Sequence, residues 1–164
     1  MRTHHKILAV SLALLLAAPA AAGEPNAAQS GLLPVPANRI VGLWATTVTV
    51  GPCQGGPTMT FPGASVFHAG GTLGETNTSP SSSRGPSQGI WKYLGQNRYK
   101  TQFQFFAYLP DGSFDGVREI RTTTTLNARA TQYDATVSAY FYNPDGSLRV
   151  QLCGSVRGDR INFN

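Results

Sequence analysis

One stretch of the sequence decides the fold: YKTQFQFFAYL, which spans residues 99–109. Its large apolar residues fall mainly on one parity, whereas Lys100, Gln102 and Gln104 fall on the other. An alternation with a period of two is typical of a β-strand that has one buried face. Residues 110–112, Pro-Asp-Gly, then form a turn. The buried parity consists of Tyr99, Thr101, Phe103, Phe105, Ala107 and Leu109.

The same alternation continues in both directions from this stretch. Turns rich in Gly, Pro, Asn and Asp separate the segments, and none has a sustained helical period. Consecutive strands joined by short turns predict an all-β fold, a single antiparallel up-and-down β-barrel of about eight strands, because closure removes exposed edges. Residues 77–88 predict a long surface loop. The other predicted strands are 40–50, 64–68, 72–76, 89–94, 114–127, 133–141, 148–154 and a short one at 160–163.

One predicted strand has an irregular alternation. In residues 114–127, Val117 and Ile120 differ in parity, so they cannot share a face of a regular strand. We therefore expect a β-bulge near Arg118 and Glu119.

The N-terminus has the three parts of an export signal. Arg2 and Lys6 precede an apolar run at residues 7–18, and small residues at 20–23 offer a cleavage site. The run is shorter than the roughly 20 residues of a spanning helix, which disfavours the alternative of a retained membrane anchor. We predict a signal peptide at 1–22, a flexible leader at 23–38, a barrel domain at 39–164, and a periplasmic or extracellular location.

Export changes the charge of the chain and the chemistry of its cysteines. Loss of Arg2 and Lys6 removes two positive charges from a net charge of +5, and the remaining basic residues are scattered, so we expect no nucleic-acid partner. In an oxidising compartment an even number of cysteines predicts a disulfide, here between Cys53 and Cys153. A metal site or a catalytic thiol would need partners, and His68 is the only histidine after cleavage. We expect no metal, no cofactor and no membrane span after signal removal.

A membrane-spanning barrel would show a similar alternation. Such a barrel needs an apolar outer face, whereas Lys100, Gln102, Glu119 and Arg121 lie on the outward parity here. The pattern therefore favours a barrel with its apolar face inward.

Gly42-Leu43-Trp44 on the first strand resembles the Gly-x-Trp signature of lipocalins and related calycin barrels. The resemblance implies that Trp44 closes one end of the barrel beneath a basic residue of the last strands, with Arg157 and Arg160 as candidates for a cation–π contact. More narrowly, this opening, residues 67–75, residues 89–91 and residues 153–160 look like uncharacterised bacterial exported proteins with a lipocalin-like barrel.

The leading functional hypothesis is that the barrel binds a small apolar or amphipathic molecule in its interior. Small inward residues such as Ala107, Ala135 and Ala139 favour a cavity, and inward threonines (Thr46, Thr101, Thr122, Thr124) would supply hydroxyls. The predicted ligand-binding residues are Trp44, Trp91, Tyr99, Phe103, Phe105, Tyr133 and Phe141.

Two alternatives belong to other functional classes. A barrel with a filled core could serve as a structural or protein-interaction module, or form a homodimer, through outward aromatics; these are Phe106, Tyr108, Tyr140 and Tyr142. A cofactor-free isomerase or cyclase resembling the plant allene oxide cyclases would use Glu75, Glu119 or His68, which are weak catalytic candidates. Because the sequence contains no Gly-x-Ser-x-Gly and no His-x-x-x-His pair, it favours a protein that is not an enzyme.

Overall fold

The computed structural model describes residues 36–163. A 3-10 helix, Ala37–Ile40, precedes eight strands. Each strand pairs antiparallel with the next and β8 pairs with β1, so the sheet is a closed barrel, which confirms the predicted fold class. The strands are β1 (Gly42–Pro52), β2 (Met59–Phe67), β3 (Thr72–Asn77), β4 (Ser87–Gly95), β5 (Arg98–Tyr108), β6 (Phe114–Leu126), β7 (Gln132–Tyr142) and β8 (Leu148–Arg160).

The predicted signal peptide, 1–22, and residues 23–35 of the predicted leader lie outside the described residues. The 3-10 helix spans the predicted boundary between leader and barrel at residue 39, and its Ala37 and Ile40 are buried. No helix within residues 36–163 is long and apolar enough to cross a membrane.

The two ends of the barrel differ in how they are filled. The turns after β2, β4 and β6 lie at the same end of the barrel as the 3-10 helix, and we call it the closed end. Trp44, Tyr99, Ile40 and Leu126 are fully buried there, and their contacts form the hydrophobic core. The turns after β1, β3, β5 and β7 lie at the opposite end, which we call the open end.

The β-bulge of β6 lies near residue 115, so the expected position near Arg118 and Glu119 was wrong. Ala107 pairs with Gly116 and Tyr108 pairs with Phe114, which leaves Asp115 as the extra residue. From Arg118 onward the pairing with β5 is regular. Because the alternation is not interrupted there, Arg118 faces the interior together with Ile120, and Val117 faces outward.

The end of the chain also differs from its prediction. β8 continues through Gly158 to Arg160, and residues 161–163 form no strand. Gly158 is not a turn residue: a Cβ at this position would lie 2.2 Å from a ring carbon of Tyr133. The glycine in the strand therefore makes room for an interior aromatic ring.

The predicted disulfide between Cys53 and Cys153 is confirmed, with the two Cα atoms 4.8 Å apart. Cys53 lies in the turn after β1, and Cys153 lies opposite Gly51 in the β1–β8 pair. The bond therefore crosses the pair of strands that closes the barrel, at its open end.

Candidate ligand-binding cavity

A cavity of about 590 Å³ occupies the interior of the barrel and reaches the open end. Its wall is mostly apolar, and three alanines face it where larger side chains would fill the space. These alanines, Ala107, Ala135 and Ala139, are themselves buried, as predicted. The principal apolar lining residues are Phe61, Phe67, Leu73, Phe103, Phe105, Ile120, Val137, Phe141 and Val156.

Hydroxyl groups line one part of this wall. The hydroxyls of Thr101 and Thr122 are 2.7 Å apart, and those of Thr122 and Thr124 are 3.1 Å apart. Thr46 faces the same cavity. Burial raises the pKa of Tyr133 to about 12, so its phenol is a neutral group at physiological pH. The wall thus offers neutral donors and acceptors.

The structure divides the predicted ligand-binding residues into two groups. Phe103, Phe105, Tyr133 and Phe141 line the cavity. The remaining three, Trp44, Trp91 and Tyr99, are buried in the core of the closed end.

Each of the three closed-end aromatics donates a hydrogen bond to a main-chain carbonyl. Trp44 Nε1 lies 2.9 Å from the oxygen of Ile40, and Trp91 Nε1 lies 3.0 Å from that of Thr72. The Tyr99 hydroxyl lies 3.2 Å from the oxygen of Pro36. These bonds satisfy the polar atoms of large buried rings. A ligand contact by these three residues remains a prediction.

Arg160 is the basic residue beside Trp44 that the family resemblance implied. Cζ of Arg160 lies 4.2 Å from the centroid of the Trp44 ring, whereas Arg157 is exposed. Gly42 lies beside this guanidinium with φ +136°, and a Cβ there would lie 2.6 Å from Nη1 of Arg160. The Gly-x-Trp spacing therefore has a steric reason in this barrel.

The weak catalytic candidates lie in three different places. Glu75 faces the cavity. Glu119 lies on the outer face and pairs with Arg121 at 2.6 Å, and His68 is exposed in the turn after β2. The structure therefore does not bring Glu75 and Glu119 together. Within residues 36–163 no group of three His, Cys, Asp or Glu side chains is arranged to hold a metal ion.

Two arginines in the cavity wall were not predicted, and Arg84 is the first. It lies in the segment that the sequence predicted as a surface loop, yet it bridges to Ala107 of β5 and is only 8% exposed. Its Nη2 donates to Oε2 of Glu75 at 2.8 Å and also to the Ser87 hydroxyl. Cζ lies 4.1 Å from the centroid of the Phe105 ring.

Arg118 is the second unpredicted arginine. It forms an ion pair with Asp115 and donates to the carbonyl oxygen of Tyr142 at 3.2 Å. Its guanidinium lies over Phe141, with Cζ 4.7 Å from the ring centroid. Arg118 has the same parity as the apolar Ile120, and this alternation was the sequence signal that could have identified Arg118 as an interior residue.

These side chains form a continuous belt near the open end. Phe105 is the cross-strand partner of Arg118, and Arg118 is the partner of Phe141. Because Arg84 also lies over Phe105, cationic and aromatic side chains alternate across β5, β6 and β7. We call Arg84, Phe105, Arg118 and Phe141 the arginine–phenylalanine belt.

Comparisons with protein families, with curated proteins and with solved structures gave no match. The function of the cavity is therefore inferred from its own residues.

The predicted outward aromatics do not form one exposed surface. Phe106 is 49% exposed and packs against Phe114 with ring centroids 6.0 Å apart. Tyr108 contributes to the cavity rim, and Tyr140 lies half-buried beneath Arg121. Tyr142 is also half-buried. Self-association through these residues remains a prediction.

Proposed function

We propose that this protein binds a small apolar or amphipathic molecule, which enters the barrel through the open end. The observation that carries the proposal is the cavity of about 590 Å³ with a mostly apolar wall and one closed end. Small-molecule sites are typically concave, mostly apolar and roughly 300–1,000 Å³ in volume. The volume lies well within that range.

Two features support a binding role over a barrel with a filled core. An eight-stranded barrel is just wide enough either to be filled by side chains or to hold one small ligand. Here Ala135 and Ala139 face the interior and leave space. The arrangement of Gly42, Trp44 and Arg160 also agrees with the resemblance to lipocalins.

We place the protein outside the cytoplasm. The Cys53–Cys153 bond supports this location, because disulfides persist in oxidising compartments such as the periplasm and the extracellular space. The predicted signal peptide at residues 1–22 would direct the export.

A fluorescence experiment tests binding. The neutral probe N-phenylnaphthylamine is titrated into the protein and then displaced with dodecanol. We expect saturable fluorescence enhancement that dodecanol reverses. No enhancement, or enhancement that dodecanol does not reverse, would contradict the proposal.

A pair of variants locates the binding in the barrel interior. In Ala139→Phe, the new ring occupies the cavity, and we expect affinity for the probe to fall about tenfold or more, on the order of 1.4 kcal/mol. Ala45→Phe adds the same ring at an exposed position of β1 and should bind like the natural sequence. Equal affinities of the two folded variants would place the probe elsewhere.

A further inference from the structure

Arg84 has an unsatisfied donor beside the cavity. Its Nη2 donates to Glu75 and Ser87, but Nη1 is buried and has no hydrogen-bond partner among residues 36–163. The Arg84 side chain is only 6% exposed. Buried polar groups in native proteins are almost always hydrogen-bonded, and a missing partner is costly. An acceptor from outside the chain would supply what Nη1 lacks.

The place of Arg84 in the cavity wall restricts where that acceptor comes from. One face of its guanidinium lies over Phe105, and Ser87 and Glu75 occupy the other terminal nitrogen. Arg84, Glu75 and Phe105 all line the cavity. A molecule held in the cavity can therefore place an oxygen beside Arg84 while its apolar part contacts phenylalanine rings, and a small turn of the guanidinium toward the cavity brings the buried Nη1 to that oxygen.

The charges around the belt favour an anion. Arg84 pairs with Glu75, and Asp115 pairs with both Arg118 and Arg149. The hydrogen bond from Arg149 holds the pKa of Asp115 below its usual range, so this carboxylate is ionised at neutral pH. Arg84 and Glu75 balance each other, whereas Arg118 and Arg149 share the single carboxylate of Asp115, so the excess positive charge lies on the Arg118 side of the belt.

We infer that the preferred ligand is an amphiphile with one carboxylate, whose oxygen accepts a hydrogen bond from Arg84 Nη1 while its apolar chain fills the interior. This inference rests on the proposed binding function and adds the chemistry of the head group. Guanidinium–carboxylate hydrogen bonds are charge-assisted and about twice as strong as neutral ones. A dianionic head group fits less well, because Glu75 already lies beside Arg84.

The dimensions of the cavity orient this ligand and suit a chain of medium length. Along β6 the lining residues extend from Arg118 at the belt to Thr124 near the closed end. The six residue steps from Arg118 to Thr124 span about 20 Å, or roughly 15 Å along the axis of a barrel whose strands tilt by about 35–45°. The carboxylate lies at the belt, and the chain points toward the Trp44 end.

The test compares two molecules that differ only in the head group. Dodecanoate and dodecanol each displace N-phenylnaphthylamine at neutral pH, below the concentrations at which they aggregate. We expect dodecanoate to bind about tenfold more tightly, the effect of one charge-assisted hydrogen bond. The inference is overturned if the two bind equally or if dodecanol binds more tightly.

Variants assign the preference to Arg84. Glu75→Gln/Arg84→Met removes both charges together, so no buried charge is left unpaired, and we expect it to weaken dodecanoate far more than dodecanol. Glu75→Gln alone keeps Arg84 and removes its competing carboxylate, so the preference should increase. The control, Glu119→Gln/Arg121→Met, removes the equivalent pair from the outer face and should retain the preference.

The outcomes separate the two proposals. If dodecanol and the neutral probe do not bind, the proposed function fails. If both bind but the preference for dodecanoate is absent, the inferred head group fails while the proposed function stands. If the preference survives in folded Glu75→Gln/Arg84→Met, only the assignment to Arg84 fails. Tighter binding of dodecyl phosphate than of dodecanoate would overturn the carboxylate as the preferred head group.

Discussion

Arg160 of β8 stacks on Trp44 of β1, its cross-strand partner, with Cζ 4.2 Å from the centroid of the indole ring. The same guanidinium donates to three main-chain carbonyls: Ala130 at 2.6 Å, Val41 at 2.8 Å and Arg39. It therefore links the start of β1, the turn after β6 and the end of β8. Arg160 thus links β1 and β8 at the closed end of the barrel, and the disulfide links them at the open end.

We predict that Arg160→Ala lowers the free energy of unfolding by about 2–4 kcal/mol, because hydrogen bonds from a charged donor and a cation–π contact are lost together. Denaturant unfolding followed by tryptophan fluorescence measures the change. Arg157→Ala, at an exposed position of the same strand, should change stability by less than about 0.5 kcal/mol. Equal effects of the two substitutions would contradict the role assigned to Arg160.

Gly42→Ala should destabilise the barrel more than Gly56→Ala. The two glycines have nearly the same φ, +136° and +133°. An alanine in this region costs about 1–3 kcal/mol at either site. At Gly42 the new Cβ also meets Arg160 Nη1 at 2.6 Å, whereas at Gly56 the nearest atom lies 3.7 Å away.

We expect the Gly42 variant to lose a further 1 kcal/mol or so from the clash, by analogy with overpacking of cores. Urea unfolding of both variants gives the difference. If Gly56→Ala costs as much as Gly42→Ala, the contact with Arg160 is not the reason for glycine in the Gly-x-Trp sequence.

Reduction of the Cys53–Cys153 bond should destabilise the barrel. The bond joins residues 100 positions apart. In the chain-entropy account a loop of that size stabilises the folded state by about 4–5 kcal/mol. The unfolding midpoint should fall when reductant is added, whereas Cys53→Ser/Cys153→Ser should be less stable and insensitive to reductant. A midpoint that does not respond to reductant would contradict the prediction.

The stability of the protein should fall between about pH 10 and 12 in a way that depends on Tyr133. Burial raises the pKa of this phenol from 10.0 to about 12 in the folded state. In this window an unfolded chain releases the proton while the folded chain retains it, so rising pH favours unfolding.

The contribution of Tyr133 is fully present below pH 10, and up to about 2–3 kcal/mol is lost as the pH passes through the window. Unfolding at several pH values compares the natural sequence with Tyr133→Phe, which lacks the titrating group. The variant should show a shallower decline, and an identical slope would show that Tyr133 does not titrate as described.

Much of the fold was predictable, because each strand has one face toward water and one away from it. The alternation in residues 99–109 therefore carries the strand and its inward face from Tyr99 to Ala107, whereas Leu109, also predicted to be buried, lies beyond the end of the strand and is exposed. The pair of cysteines likewise predicted the disulfide that joins Cys53 to Cys153. Prediction from alternation failed at Arg118, because a charged residue in the interior resembles a surface residue. It also failed at Gly158, because a glycine within a strand resembles a turn residue.

Arg84 shows a different limit. It lies among Ser, Pro and Gly residues without periodicity, so nothing in its local sequence predicts an inward side chain. Its position depends on a bridge to Ala107 and an ion pair with Glu75, which are 23 and 9 positions away in the sequence. The pairing of β3 with β4 and of β4 with β5 brings these residues together.

By itself, the sequence determined that this chain forms an antiparallel β-barrel with its apolar parity inward and a pair of cysteines able to join. Those properties follow from the order of neighbouring residues, because in each strand one face is exposed to water and the other is not. Only the tertiary structure decided that the interior is hollow and that Arg84 and Arg118 lie in its wall. Whether inward side chains fill a barrel depends on the distance between strands far apart in the sequence, and closure sets that distance.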